Sequence, residues 1–337
     1  MHIRDIDIGE GLILAPMEGV TNLSFRRLIR SIGGCDLTVT EFIPGKSLAE
    51  GHASALKMAE FDPNERPISI QVYGRDPAVM ADAARFVQDL GADIVDLNMG
   101  CPSKQVCKNS GGSALMREPE LARQIVKAMR AAVSVPFTVK MRAGWDADLR
   151  NAPEIAWMCQ EEGAEMVAVH WRTRADLYGG EKRLDTVAEV KHRLSIPVVA
   201  NGDIVDVPSA RETREATGAD GLMIGRGAIA DPWVFQRIRR DRAGLPPLVV
   251  DAAEKERVLL AYFDVLRSDA KHEKHALGRM KRIARYFTAK LPNAGDLRYA
   301  VLHADTVDEA VARVKAFFAD LDDDGSSGAE RTQAMAS

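Results

Sequence analysis

Two kinds of apolar run alternate along the first two thirds of the chain. One kind is short, continuous and rich in β-branched residues: 12–15, 37–42, 68–73, 94–98, 137–142, 166–171, 198–202 and 221–225. The other recurs at three- to four-residue spacing, as in 78–90 (Ala84, Val87, Leu90), 118–133 (Leu121, Ile125, Met129, Val133) and 184–194 (Val187, Val190, Leu194). A strand that is apolar throughout is buried on both faces, whereas an amphipathic helix buries one stripe. Interleaving the two predicts a parallel sheet covered by helices. Eight such units in roughly 250 residues fit a closed (β/α)8 TIM barrel. A doubly wound sheet is the alternative, but no Gly-x-Gly-x-x-Gly turn follows the first strand run, so a dinucleotide-binding fold is disfavoured.

The pattern changes after Arg242. Gly244-Leu245-Pro246-Pro247 reads as a linker, and helical spacing resumes over 252–271, 276–288 and 307–321 with no strand run between. The expected organisation is a barrel over 1–243, a small helical-bundle domain over 244–321 and a tail over 322–337. The tail is acidic and Gly/Ser-rich with almost no large apolar residue, so it is expected to be disordered.

Composition narrows the class. With 46% hydrophobic and 28% charged residues the chain reads as a soluble globular protein. Four cysteines (Cys35, Cys101, Cys107, Cys159) form no CxxC pair, so no zinc or iron–sulfur site is expected. Neither a leader nor an apolar run of ~18 residues is visible, which predicts a reduced, cytoplasmic protein without membrane attachment. No stable protein partner is predicted. The net charge of -4 by itself disfavours a nucleic-acid partner. Its distribution reverses that inference: from residue 236 to 298 fifteen Lys and Arg face eight Asp and Glu, an asymmetry that points to a polyanion.

Reactive groups of a barrel gather where its strands end. Those exits carry Pro16-Met17-Glu18, Glu41, Gln71, Asn98 with Cys101, Lys140 with Arg142, His170 with Arg172, Asn201-Gly202-Asp203 and Gly225-Arg226-Gly227. The last two, ANGDI and IGRGAIADPW, put glycines where backbone N–H groups cradle a phosphate, with Arg226 adding charge. The plainer reading is that these glycines only permit tight turns. Lys140 and Arg142 alternate along one strand and face the barrel mouth together, suiting an anionic ligand, or else pair with Glu41 or Asp96. Gln71 offers a donor and an acceptor to an imide edge, or caps a loop. His170 is a candidate ligand contact or a satisfied core histidine. Cys101, in a Gly-Cys-Pro turn, is a candidate nucleophile or general acid, and a thiol of ordinary pKa, about 8.5, keeps its proton at neutral pH. Cys107 raises a disulfide switch as an alternative. Cys35 and Cys159 sit among apolar neighbours and read as core.

LILAPMEGVTN, QVYGRDP, DLNMGCPSK, VKMRAGWD, VHWRTR, VVANGDI and MIGRGAIADPW occur in this order between residues 12 and 235. On these motifs the chain resembles the tRNA-dihydrouridine synthases, most of all bacterial enzymes of the B type. The resemblance implies an FMN-bound barrel, reduced by NADPH, that reduces the 5,6 double bond of a uridine in folded tRNA. Hydride would pass from flavin N5 to uracil C6, and Cys101 would protonate C5 from the opposite face. It assigns Pro16, Met17, Glu18, Gln71, Lys140, His170, Asn201, Gly202, Asp203, Gly225 and Arg226 to the flavin and its phosphate, and Asn98 and Arg142 to the substrate side. The uridine would leave its stack to reach the site, with the basic helical domain holding phosphates. Glu18, Asn22 and Trp171 depart from the family's usual alanine, aspartate and glycine. At a strand exit, Trp171 would stack on RNA or reshape the flavin edge. The rival activities are a flavin dehydrogenase of a free pyrimidine, resembling dihydroorotate or dihydropyrimidine dehydrogenases, and a catalytically silent RNA-binding barrel.

Overall fold

A computed structural model describes residues 1–108, 111–177, 179–288, 291 and 294–323. The chain divides into two compact units, Met1–Ala228 with Trp233–Phe235, and Ile229–Pro232 with the chain from Gln236 onward.

The first unit is a closed parallel barrel of β1 (Leu12–Leu14), β2 (Leu37–Val39), β3 (Ile68–Tyr73), β4 (Ile94–Met99), β5 (Phe137–Arg142), β6 (Met166–His170), β7 (Val198–Asn201) and β8 (Gly221–Ile224). Each strand pairs with the next. β8 returns to β1 through Met223 opposite Ile13, so no edge is left open. The run 37–42 is not one strand: β2 stops at Val39, and Ile43–Pro44 then pairs again with the end of β3. Thr40 makes the break. Its Oγ1 accepts the N–H of Gln71 at 3.1 Å and so takes the place of a ladder carbonyl.

Residues opposite one another in a parallel ladder point to the same side. The register therefore fixes which side chains share the inward face. Ile13, Val39, Ile94, Met166, Ala168, Val199 and Met223 form the floor, joined by Ile3 and Ile8 from the amino-terminal ribbon. Above it Gln71, Asp96 and Thr138 stand side by side. Nearest the mouth, Asn98 neighbours Lys140, Arg142 neighbours His170, and His170 neighbours Asn201.

The covering helices are α1 (Leu23–Ile32), α2 (Pro77–Asp89), α3 (Pro119–Ala132), α4 (Ala152–Glu161), α5 (Asp185–Arg193) and α6 (Val207–Thr217). Local chemistry starts several of them. Asn22 accepts the Phe25 N–H at the head of α1, Asp76 accepts from Ala78 and Val79 ahead of Pro77 in α2, and Asp206 caps α6.

The second unit contains α7 (Ala252–Asp269), α8 (Glu273–Phe287), α9 (Ala294–Leu302) and α10 (Val307–Asp323) around Phe263, Leu266, Met280, Val301, Val314 and Phe318. α9 is absent from the sequence reading because its apolar face is only Ala294, Leu297 and Val301. α8 presents Lys274, Arg279, Arg282 and Arg285 to solvent. The helix α10 takes in the first two residues of the expected tail, and 324–337 lie outside the described residues. No helix among the described residues is long and apolar enough to cross a membrane.

Candidate active site at the carboxyl end of the barrel

A single directed chain of hydrogen bonds leads from the barrel interior to Cys101. Asp96 accepts from Thr138 Oγ1 and from Gln71 Nε2. Gln71 Oε1 accepts from Asn98 Nδ2 at 2.7 Å, and Asn98 Oδ1 accepts the N–H groups of Gly100 and Cys101 at 3.0 and 2.9 Å. A carboxylate only accepts and a backbone N–H only donates, so both amides are locked in one orientation. Burial raises the Asp96 carboxyl to about 6, opposed by its bonds to Thr138 and Gln71 and by Lys140, which leaves it ionised at neutral pH. Gln71 is 0% exposed, with one Nε2 hydrogen and one Oε1 lone pair left over.

Cys101 is 7% exposed. Burial pushes its thiol up to about 11 from the usual 9.0; a hydrogen bond from the Ser103 backbone opposes this, and the nearby Glu18 and Cys107 charges add to it. The ordinary pKa expected from the turn sequence is thus replaced by a much weaker acid, because the turn is folded inward. Its carbonyl accepts from Ser113 N and Oγ at 3.1 and 2.9 Å. Gly112, at φ +56°, leaves room for this: a Cβ there would lie 2.8 Å from the Cys101 oxygen. Cys107 Sγ sits 3.5 Å from the same carbonyl. Cys35 and Cys159 are buried, as the sequence indicated, and burial raises both to about 12.

On the adjacent strand stand two cations, Lys140 and Arg142. Burial lowers Lys140 to about 8, Arg142 adds to the shift, and Asp96 and Cys101 oppose it. Its Nζ makes no hydrogen bond or ion pair with any described residue, so the salt bridge to Glu41 or Asp96 is not formed. Arg142 donates to the carbonyls of Gly100 (2.9 Å), Thr173 (2.7 Å) and Leu177 (3.1 Å), tying the β4 and β6 exits together. The Arg172 N–H donates to His170 Nδ1 at 3.1 Å. Burial, then Lys140, Arg142, Arg172 and Arg226, hold His170 well below 6.5. The neutral ring therefore carries its proton on Nε2.

At the β7 and β8 exits the glycines divide into two kinds. A Cβ on Gly202 (φ +114°) would lie 2.6 Å from the Trp171 ring, and one on Gly227 would lie 2.3 Å from the Ile204 oxygen. At these two positions neighbouring atoms leave no room for a side chain. On Gly225 a Cβ would meet only Met17 Sδ at 3.5 Å and Ala15 Cβ at 3.7 Å, ordinary contacts, so the space beside it is not required by packing. Asn201 Nδ2 donates to the Met223 carbonyl at 2.7 Å. Asp203 takes a two-pronged bond from Arg172 (2.9 and 2.7 Å) and one from Arg226 (3.0 Å). Partial burial acts upward on its carboxyl, but the two arginines outweigh it and hold it below the usual range. Met17 turns the β1 exit by accepting from Val20 and Thr21; Pro16 and Met17 are half-buried and Glu18 is exposed.

Trp171 departs from its expected place. It is 1% exposed, beneath the Arg172 guanidinium at 4.1 Å and against Gly202, so it presents no face to RNA. Two residues escaped assignment on sequence. Asp96 anchors the hydrogen-bond chain, and Arg172 holds Asp203. The signal for each was the two-residue period that linked Lys140 to Arg142: Asp96 precedes Asn98 by two, and Arg172 follows His170 by two.

A closed barrel whose strand ends bring together a buried thiol, a lysine with no partner among the described residues and the open space beside Gly225 defines a barrel enzyme with its site at the carboxyl mouth. The family model described as Dihydrouridine synthase matches residues 13–321, and the chain belongs to that family. It is 42% identical over 326 residues to tRNA-dihydrouridine synthase B of Pseudomonas syringae pv. tomato, covering 94% of each chain. It is 40% identical over 316 residues to the protein of the same description from Pseudomonas aeruginosa, covering 93% of this chain and 94% of that one. A probable tRNA-dihydrouridine synthase of Rickettsia conorii is 36% identical over 303 residues, 89% of this chain and 91% of that one.

Proposed function

We propose that this protein is an oxidoreductase that reduces the 5,6 double bond of uridines in tRNA to dihydrouridine, with FMN as cofactor and NADPH as reductant. The observation that carries the reading is Cys101: a neutral, buried thiol at the barrel mouth, suited to give up a proton rather than to attack.

The residues present fit an anionic flavin. Lys140 is a buried cation with no protein partner among the described residues, His170 carries a donor on Nε2, and Gly225 leaves unused space beside Arg226. FMN would be held by Lys140, His170, residues 201–203 and 225–226, with residues 16–18 alongside and Gln71, itself fully buried, acting from behind through Asn98. When bound, the flavin supplies the hydride that adds to uracil C6, replenished from NADPH.

Cys101 then holds a proton on Sγ for the adjoining carbon, C5. Its raised pKa keeps that proton in place at neutral pH. Asp96, Gln71 and Asn98 fix the turn that aims it, and Arg142 clamps Gly100 from the other side. Lys140, charged below about pH 8, offsets negative charge built up beside it. Extruding a base from folded RNA calls for phosphate contacts, which the exposed arginines and lysine of α8 would supply.

The test is the full chain with unmodified tRNA and NADPH, dihydrouridine being measured by nucleoside mass spectrometry. Cys101→Ala should retain the yellow flavin and lose nearly all product. Undiminished product in that variant removes Cys101 from the chemistry. Turnover of free uracil or orotate with none of tRNA would move the assignment to a free-pyrimidine dehydrogenase.

A further inference from the structure

Three loops at the carboxyl end of the barrel meet around Trp145. Arg117 ends the turn Gly112–Arg117 after β4, Trp145 follows β5, and Arg174 follows β6. The guanidinium carbon of Arg117 lies 4.8 Å from the centroid of the Trp145 ring, and that of Arg174 lies 4.6 Å from it. The indole is held by backbone rather than by chance. Trp145 N donates to Leu149, Arg174 N to Gly144 and Ala175 N to Trp145, each at 2.9 Å. Asn151 Nδ2 donates to the Met116 carbonyl at 2.8 Å and draws the Arg117 turn to the same place. Gly144 has φ +158°, and a Cβ there would lie 2.0 Å from the Leu149 oxygen, so the close turn of this loop on itself needs glycine.

The donors of these two arginines are unused among the described residues. Neither guanidinium donates a hydrogen bond or forms an ion pair with a described residue, and the Nε of Arg174 is buried without a partner. The neighbouring arginines differ: Arg142, Arg150 and Arg172 are all bound to carbonyl, hydroxyl or carboxylate oxygens. The adjacent carboxylates are taken up locally as well. Asp146 accepts from Asp148 N and Leu149 N, and Asp176 accepts from Thr173 N and Oγ1. Two guanidinium groups are thus held over one ring with no described carboxylate bonded to either, which leaves their N–H forks open to an anion. Guanidinium forks match phosphate oxygens, and an arginine–aromatic stack suits the alternation of phosphate and base in an unpaired strand.

We propose that Arg117, Trp145 and Arg174 form an RNA-docking platform on the barrel unit, gripping backbone phosphate of the substrate beside the uridine that enters the site. The proposal rests on the tRNA reading above and adds a contact surface independent of the helical unit.

The test is the binding of unmodified tRNA to full-length, flavin-loaded protein across a salt series, with Arg117→Gln, Arg174→Gln and the double variant. Loss of one phosphate contact should lower the salt slope by about 0.7–0.9 and weaken binding by about fivefold in moderate salt, the double variant more. KM for tRNA should rise further than kcat falls. Arg174→Lys should recover part of the affinity, since it keeps the charge and loses the fork. Because Arg117 is exposed, Arg117→Gln decides the matter even if the Arg174 variants unfold. Unchanged affinity and salt slope in Arg117→Gln, in protein that still makes dihydrouridine, overturns the platform and spares the function. Absence of dihydrouridine from the unaltered protein instead removes the function.

Discussion

Raising the pH should deprotonate Lys140 before Cys101, the reverse of their order in water. The thiol stands at about 11 against an ordinary 9.0, and the lysine at about 8 against 10.5. Two pKa units correspond to about 3 kcal/mol against forming the thiolate, or a hundredfold less of it at any pH well below 9. Burial is the first cause and Glu18 a lesser one, so Glu18→Gln should lower the thiol only slightly. The assay is peptide-resolved alkylation by iodoacetamide as a function of pH, since only the thiolate reacts. Cys101 should alkylate with a midpoint near 11 in the folded protein and near that of a free thiol peptide after denaturation. The activity profile separates the second group. The lysine charge is present below about pH 8 and lost above it, whereas the thiol proton persists to about 11. Turnover should therefore fall first near pH 8, and Lys140→Arg, where it still binds flavin, should carry that limb upward because arginine stays charged. An alkylation midpoint of 8 to 9 in folded protein would refute the reasoning, for it would mean that water reaches the sulfur and burial does not set its acidity.

Two further outcomes probe the supports of the site. Asp96→Leu leaves the amide of Gln71 and the hydroxyl of Thr138 unpaired and should cost about 1–3 kcal/mol per group, measured by denaturant unfolding, whereas Asp96→Asn can accept from one and donate to the other and should cost much less; equal losses would discount the directed chain. Gly112→Ala forces a Cβ against the Cys101 carbonyl at positive φ and should destabilise the folded protein by about 1–3 kcal/mol. Gly225→Ala, with only ordinary contacts, should leave the flavin-free protein as stable as before while weakening flavin retention, and the opposite ranking in thermal unfolding would remove the cradle.

Much of the site was legible because its signals are local. Lys140 and Arg142 share a face by strand period alone, and the eight apolar runs announce a parallel barrel because continuous burial needs helices on the outside. The exits that carry Asn98, His170 and Asn201 follow from where those runs end. Thr40 is another matter: its run reads as strand through residue 42, yet its hydroxyl takes a ladder bond from Gln71, 31 residues away. Trp171 looked like a mouth residue by position, and only the close approach of Gly202 shows it packed inside.

The amino-acid order by itself determined the barrel, the helical region and which side chains stand at the strand ends, since these depend on periods of two and 3.6 along one segment. Tertiary structure alone decided that the thiol is a weak acid, that Gln71 serves Asn98 across 27 residues, and that Arg117, Trp145 and Arg174 meet. Those outcomes turn on register between strands and on the exclusion of water, quantities set by neighbours distant in sequence and so invisible to any window along the chain.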